Sequence, residues 1–237
     1  MKVVTLYSPS HKKMYEEFFL PSFPNDDRLE LKAVEAPQLA GEKPTFNSSE
    51  WKNFMQIKSE LLYNELLTTP DGEYYLFVDT DILIVQNFFE FFQEATKNYD
   101  VLCQSDSPSP YFPNYCTGII CIKNTENTRN LMKAVNVIMH DTTLVPGQPT
   151  FANEQEVFTW LLVNKHKFFE LKDIKFNILP FEVAFTYGAI AGKVWDGTDT
   201  TFQIPSKDKL LFLHGNYCHY EHKEQLLELF KEKLKTC

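Results

Sequence analysis

No two cysteines are spaced as a Cys-x-x-Cys pair, and no cysteine–histidine set has the spacing of a structural zinc site. The five cysteines present, Cys103, Cys116, Cys121, Cys218 and Cys237, are an odd number. That speaks against a disulfide framework and predicts reduced, mostly buried thiols in a reducing compartment. No leader is expected either: the apolar run after Lys2 is far too short for a signal peptide. No stretch approaches the roughly 18 apolar residues of a spanning helix. Together these absences predict a cytoplasmic chain with no membrane span. Positive charge is scarce as well, with 23 Lys and Arg against 32 Asp and Glu and a formal net charge of −9. A nucleic-acid binder carries a basic stripe, and docking on anionic lipid needs basic residues too, so neither partner is expected. No internal repeat, low-complexity tract or linker divides the 237 residues. One domain over 1–237 is expected, a length acceptable for one α/β unit with a substantial core. Aromatic residues are plentiful, 21 Phe and 11 Tyr, and most are read as core.

Along the chain, apolar runs and helical periodicities alternate. Val3 to Tyr7 reads as a first strand, His11 to Phe19 as a helix closed by Pro21 and Pro24, and Leu29 to Val34 as a second strand. Residues 36–49 read as a loop. Glu50 to Leu67 is a strong helix, with Trp51, Phe54, Ile57, Leu61 and Leu62 on one face. Tyr74 to Val78 is a buried-strand run, Ile82 to Val85 another, and Asn87 is placed to cap a helix over 88–96. Strands follow at Val101 to Gln104 and Thr117 to Ile122, and helices at Thr125 to Met139 and Glu154 to Val163. A Pro-rich loop covers 106–115, and another break lies at 146–150. Residues 168–209 look irregular, with short strands at Lys175 to Leu179 and Val183 to Thr186. Leu210 to Leu213 is a last strand and Glu221 to Lys235 a last helix. The alternation predicts an α/β fold with a mainly parallel central sheet flanked by helices. Ligands of such sheets bind beyond the carboxyl ends of the strands.

Asp79 and Asp81 lie just past such an end. Residues i and i+2 of an extended segment point the same way, so both carboxylates converge on one point. So close together they repel unless a cation lies between them. Mg²⁺ and Mn²⁺ suit carboxylates, water and substrate phosphates. The alternative is a turn with two solvated acids, but Tyr-Leu-Phe-Val before the pair and Ile-Leu-Ile-Val after it bury the flanks. A haloacid-dehalogenase-type phosphatase also places two acids this way after a strand. That motif opens its domain, whereas here two expected strands precede it and no paired acids follow downstream.

Four segments then carry a resemblance: Phe77-Val78-Asp79-Thr80-Asp81, Cys116-Thr117-Gly118-Ile119-Ile120, Asn153-Glu154-Gln155 and Phe212-Leu213-His214-Gly215-Asn216. In order and spacing the chain resembles the GT-A glycosyltransferases, a Rossmann-like fold, and among them the nucleotide-diphospho-sugar transferases with a DxD motif. The resemblance implies a nucleotide-binding half at 1–105 and an acceptor and metal half at 106–237. It implies Thr5 and Tyr7 at the nucleotide, with Leu6 read as core, Lys58 reaching the donor, and Thr80 beside the nucleotide. It gives Asp79, Asp81 and His214 as metal ligands, Asp79 being shared with the ribose. Gly118 would let backbone approach the sugar, and Gln155 and Asn216 would line the donor site. Lys223 would meet the diphosphate. Tyr220 stands where the family places Gly, a departure that leaves His219 and His222 as alternatives to Lys223.

The implied reaction is transfer of a sugar from a nucleotide-diphosphate sugar, a UDP-sugar by family habit, to a hydroxyl of a carbohydrate or glycoprotein acceptor with Mn²⁺ or Mg²⁺. Glu154 is the first candidate for chemistry beyond the metal and Asp106 the second. The plainer readings are a helix-dipole partner for Glu154 and a cap of the Pro-rich turn for Asp106. The pattern leans toward retention; an inverting enzyme needs Glu154 or Asp106 as base. Tyr111, Phe112, Tyr115 and Trp195 are candidates for the acceptor side. The alternatives are a hydrolase of nucleotide sugars or phosphate esters, and a non-catalytic carbohydrate-binding protein on the same fold.

Overall fold

The computed structural model describes residues 1–38, 49–107, 111, 113–144 and 151–236. Expectations that fall on 39–48, 108–110, Phe112, 145–150 and Cys237 lie outside the described residues. Two sheets organise the rest. The first has six strands in the order β2-β1-β3-β6-β5-β7: β1 (Lys2–Tyr7), β2 (Glu30–Glu35), β3 (Tyr74–Val78), β5 (Val101–Ser105), β6 (Tyr115–Lys123) and β7 (Phe176–Ile178). β1 pairs in parallel with both β2 and β3, and β5 with β7; only β6, between β3 and β5, runs against its neighbours. The second sheet is small, β4 (Ile82–Ile84), β9 (Phe212–His214) and β8 (Ala184–Thr186) in the order β4-β9-β8.

A winding helical segment follows β1. It contains α1 (Lys12–Met14), a wide π-type turn at Tyr15–Phe19 and α2 (Leu20–Ser22). It runs through Pro21, where the sequence predicts a stop. Pro21 lies in the first positions of α2, directly after the wide turn. The long helix α3 (Ser49–Thr68) packs with α5 (Glu126–His140) and α6 (Glu154–Val163) over one face of the first sheet. α5 starts at a Thr125–Thr128 capping box, and Asn153 caps α6 by accepting from the Glu156 N–H. α4 (Phe89–Ala95) lies on the opposite face, where Phe88, Phe92 and Phe212 fill a second apolar cluster. The Asn87 side chain accepts from the Phe89 N–H, as expected of a cap. A third cluster joins Phe185, Phe202 and Trp195 to Leu226, Leu227 and Phe230 of α8 (Lys223–Leu234). The region read as irregular therefore has its own core, and it also contains α7 (Tyr187–Ala191).

The passage from β3 to β4 crosses from one sheet to the other. Asp79-Thr80-Asp81 is that passage.

Candidate active site

Both sheets hold the crossing in place. The Asp79 N–H donates to the Gly118 carbonyl of β6 at 2.8 Å, and the Gly215 N–H, just after β9, donates to the Asp81 carbonyl at 2.7 Å. Thr80 between them is buried. His214 lies opposite Ile82 in the β4–β9 ladder, which brings its ring beside Asp81. Its Nε2 is 3.3 Å from Asp81 Oδ1. Asp79, Asp81 and His214 each offer a ligand atom within 4.8 Å of the others. Two carboxylate oxygens and one imidazole nitrogen suit Mn²⁺ or Mg²⁺ completed by phosphate and water oxygens.

Two lysines answer the negative charge. Lys58 of α3 is buried and reaches both Asp79 oxygens, at 3.0 and 3.1 Å, and Glu154 Oε1 at 3.2 Å. Burial alone would lower its pKa, but Asp79 and Glu154 more than offset that and raise it. Lys223, the first residue of α8, is paired with Asp81. Burial would raise the Asp81 pKa, yet Lys223 and His214 hold it well below the usual carboxylate range. Asp79 goes the other way: burial, with the charge on Asp81 beside it, raises its pKa against the pull of Lys58. Such a split is what two carboxylates at one point produce.

Glu154 is 1% exposed and turned into the site from the start of α6. Its Oε1 accepts from Thr117 Oγ1 at 2.7 Å, while its Oε2 is buried without a hydrogen-bond partner. Asn153 caps the helix, and Glu154 is in its first turn, where a helix-dipole partner also belongs. Asp106 is buried as well; it accepts from Asn216 Nδ2 at 2.7 Å and from Gln155 Nε2 at 3.1 Å. Burial raises its pKa, against hydrogen bonds from Asn216, Cys116 and Gln155. Gln155 also donates to Asn114 Oδ1 at 2.9 Å, and Thr186 donates to Asn216. Asn114 donates in turn to Tyr217 Oη at 3.3 Å. Tyr217 has a left-handed backbone, φ 51°. Its ring lies over Gly188, where an added Cβ would come within 2.1 Å of it.

On the β1 side Thr5 is fully buried with an unpartnered Oγ1, and Leu6 is core as expected. Tyr7 is half-buried, its ring stacked on Tyr15 at 4.5 Å and its hydroxyl 3.3 Å from Glu35. His11 follows, half-buried, bonded to Ser8 Oγ at 2.9 Å and edge-on to Tyr220.

Several expectations are corrected. Trp195 is no acceptor platform: it is 1% exposed and its indole N–H donates to the Asp199 carbonyl at 2.7 Å. Tyr115 is core too, packed on Phe176; Tyr111 alone of the described candidates is exposed. The space Gly118 leaves is taken by the His214 ring and Asp79, since a Cβ there would lie 2.4 Å from His214 Cε1. His219 is exposed and His222 packs against Trp195, so of the three candidates only Lys223 meets the carboxylates. The four described cysteines are free thiols. Gln104, Asn114, Thr186 and Tyr217 were not singled out in the sequence. A polar residue ending an apolar strand, as Gln104 does, was the one available signal.

A family model described as nucleotide-diphospho-sugar transferase matches residues 28–227. A search of curated protein sequences finds no match. Among solved structures, a glycosyltransferase involved in glycosylation of the major capsid of PBCV-1 is similar over 96% of this chain and 98% of its own. It has 14% identity and a TM-score of 0.57. The galactosyltransferase LgtC, solved with donor and acceptor sugar analogues, matches over 98% and 96% with 11% identity and a TM-score of 0.53. Mouse xyloside xylosyltransferase 1 matches over 91% and 98% with 10% identity and a TM-score of 0.52. At these identities the likeness is one of fold.

Proposed function

The chain belongs to the nucleotide-diphospho-sugar transferase family and has the α/β fold of GT-A glycosyltransferases, and from that premise we propose that it moves a sugar from a UDP-sugar to an acceptor hydroxyl with the help of Mn²⁺ or Mg²⁺. The observation that supports this most is the convergence of Asp79, Asp81 and His214 where the two sheets meet. Asp79, Asp81 and His214 would hold the ion, which when bound would supply neutralisation of charge on the diphosphate leaving group. Lys58 and Lys223, kept charged by their carboxylate partners, supply positive charge where the leaving group becomes more negative. Thr5, with its unpartnered hydroxyl, and Tyr7 receive the nucleotide at the end of β1, beside Thr80.

Asp106, Gln155 and Asn216 form a hydrogen-bonded set that orients the transferred sugar. Glu154 Oε2 is a buried acceptor with no donor; a hydroxyl of the sugar or of the acceptor satisfies it. The lean remains toward retention, in which no base on the opposite face is required. Residues 1–105 serve the nucleotide and bring Asp79 and Asp81 to the ion, and 106–237 serve the acceptor and add His214 to it. The acceptor is a carbohydrate or glycoprotein hydroxyl.

Calorimetry of UDP with and without Mn²⁺, followed by a panel of UDP-sugars assayed for turnover, tests this reading. Asp81→Ala is expected to abolish the metal-dependent part of UDP binding while the chain still melts cooperatively. An unchanged UDP affinity in that variant would sink the metal assignment.

A further inference from the structure

We propose that Gln104 is a positioning residue: its side-chain amide decides which imidazole nitrogen of His214 faces Asp79 and Asp81. This rests on the reading of those three residues as the cation site. Gln104 is the next-to-last residue of β5 and has no exposure to solvent. Its Nε2 donates to the Ala184 carbonyl of β8 at 3.2 Å. A carbonyl only accepts, so the amide nitrogen must be on that side and Oε1 must be on the other. Oε1 is 2.6 Å from His214 Nδ1. An amide oxygen also only accepts, so Nδ1 carries the hydrogen. Nε2 then presents its lone pair toward Asp81, 3.3 Å from Oδ1. Two acceptors at that distance repel unless a cation or proton lies between them. Gln104 thus holds the imidazole in the form a metal ligand needs, the role that a hydrogen-bond acceptor behind a ligating histidine commonly fills.

The sheet explains how the amide gets there. The β5–β6 ladder slips between Cys103, opposite Ile120, and Gln104, opposite Cys116. Irregularities of this kind re-aim side chains next to active sites. The extra residues on β6 include Gly118, whose missing Cβ makes room for the His214 ring. One irregularity therefore both seats the ring and turns Gln104 onto it. The other neighbour of Nδ1, Cys116 Sγ, is at 3.9 Å and takes the Gly118 N–H instead. In one amide, Gln104 of the first sheet binds the outer strand β8 and the central strand β9 of the second.

The test has two readouts on the full chain. Long-range ¹H–¹⁵N correlation of His214, assigned with a His214→Gln variant and recorded metal-free in alkaline buffer where imidazole is neutral, reads the tautomer. The wild type is expected to be Nδ1–H, and Gln104→Leu to move toward Nε2–H. Titration of Mn²⁺ in the presence of UDP, followed by the electron paramagnetic resonance of free Mn²⁺, is expected to show about 10- to 100-fold weaker binding in Gln104→Leu. Gln104→Glu keeps an acceptor for Nδ1 but loses the donor to Ala184. It should melt at lower temperature yet keep the Nδ1–H tautomer and its Mn²⁺ affinity. An Nε2–H tautomer in the wild type, the same tautomer in Gln104→Leu, or Mn²⁺ affinities that merely follow stability across both variants would overturn the proposal. If the wild type binds no Mn²⁺ at all, the cation reading fails, and the tautomer still decides whether Gln104 orients His214.

Discussion

At Glu154 one carboxylate oxygen is in use and the other is not. Oε1 is shared by Thr117 and Lys58, and Oε2 has no donor. A buried acceptor without a partner costs about 1–3 kcal/mol, which a substrate hydroxyl recovers on binding. Glu154→Gln keeps the shape but removes the charge, and is expected to lower turnover by about a hundredfold or more with UDP-sugar binding retained by calorimetry. Normal turnover would leave Glu154 as a structural partner of Lys58. His11 gives a prediction about pH. Burial, with Lys223 nearby and Asp81 opposing, lowers its pKa from 6.5 to about 4. Between those values the unfolded chain takes up a proton that the folded chain refuses. The stability is therefore present above pH 6.5 and lost as pH falls toward 4. The full loss is about 3 kcal/mol. Urea midpoints at neutral pH and at about pH 4 should fall less in His11→Gln than in the wild type.

At the scale of elements, β6 matters most. It enters the first sheet against the direction of β3 and β5 and places Thr117 and Gly118 at the carboxyl end of β3. Gly118→Ala would push a methyl to 2.4 Å from His214 Cε1 and 2.8 Å from Asp79 Oδ2. The ring cannot retreat freely because Gln104 holds its far side, so we expect a loss of about 1–3 kcal/mol together with weaker Mn²⁺ binding. Melting curves and Mn²⁺ titration check the two parts. Most elements were legible as apolar runs and periodicities: α6 begins and ends where Glu154 to Val163 suggested, and β3 where Tyr74 to Val78 did. The reversed direction of β6 was not, because an apolar run carries no sign of which way its strand points. Nor was the pairing of β4 with β9, whose partners are remote in sequence. Trp195 and Tyr115 stayed open between core and acceptor side because in so aromatic a chain a ring's sequence context does not separate the two; both are core.

For the whole molecule, stability and ligation are linked. If Mn²⁺ and UDP bind together between the sheets, a hundredfold excess over Kd adds about 2.7 kcal/mol, or about 5–10 °C in melting temperature for a chain of this size. Thermal denaturation should show that shift with both ligands and much less with either alone; equal small shifts would argue against a joint site. The convergence of Asp79, Asp81 and His214, the proposed cation ligands, was readable because their flanks are strongly apolar and their order follows a known pattern. The groups that orient them were not, since Gln104 finds its partner 110 residues further on. That separation also has a consequence in time. As the chain leaves the ribosome, Asp79 and Asp81 emerge well before His214 and Lys223, and the second sheet closes only when β9 arrives. An unfinished chain displays Asp79 and Asp81 without His214 or Lys223. On the proposed reading, competence to engage a donor is therefore acquired late, when β9 and the start of α8 arrive.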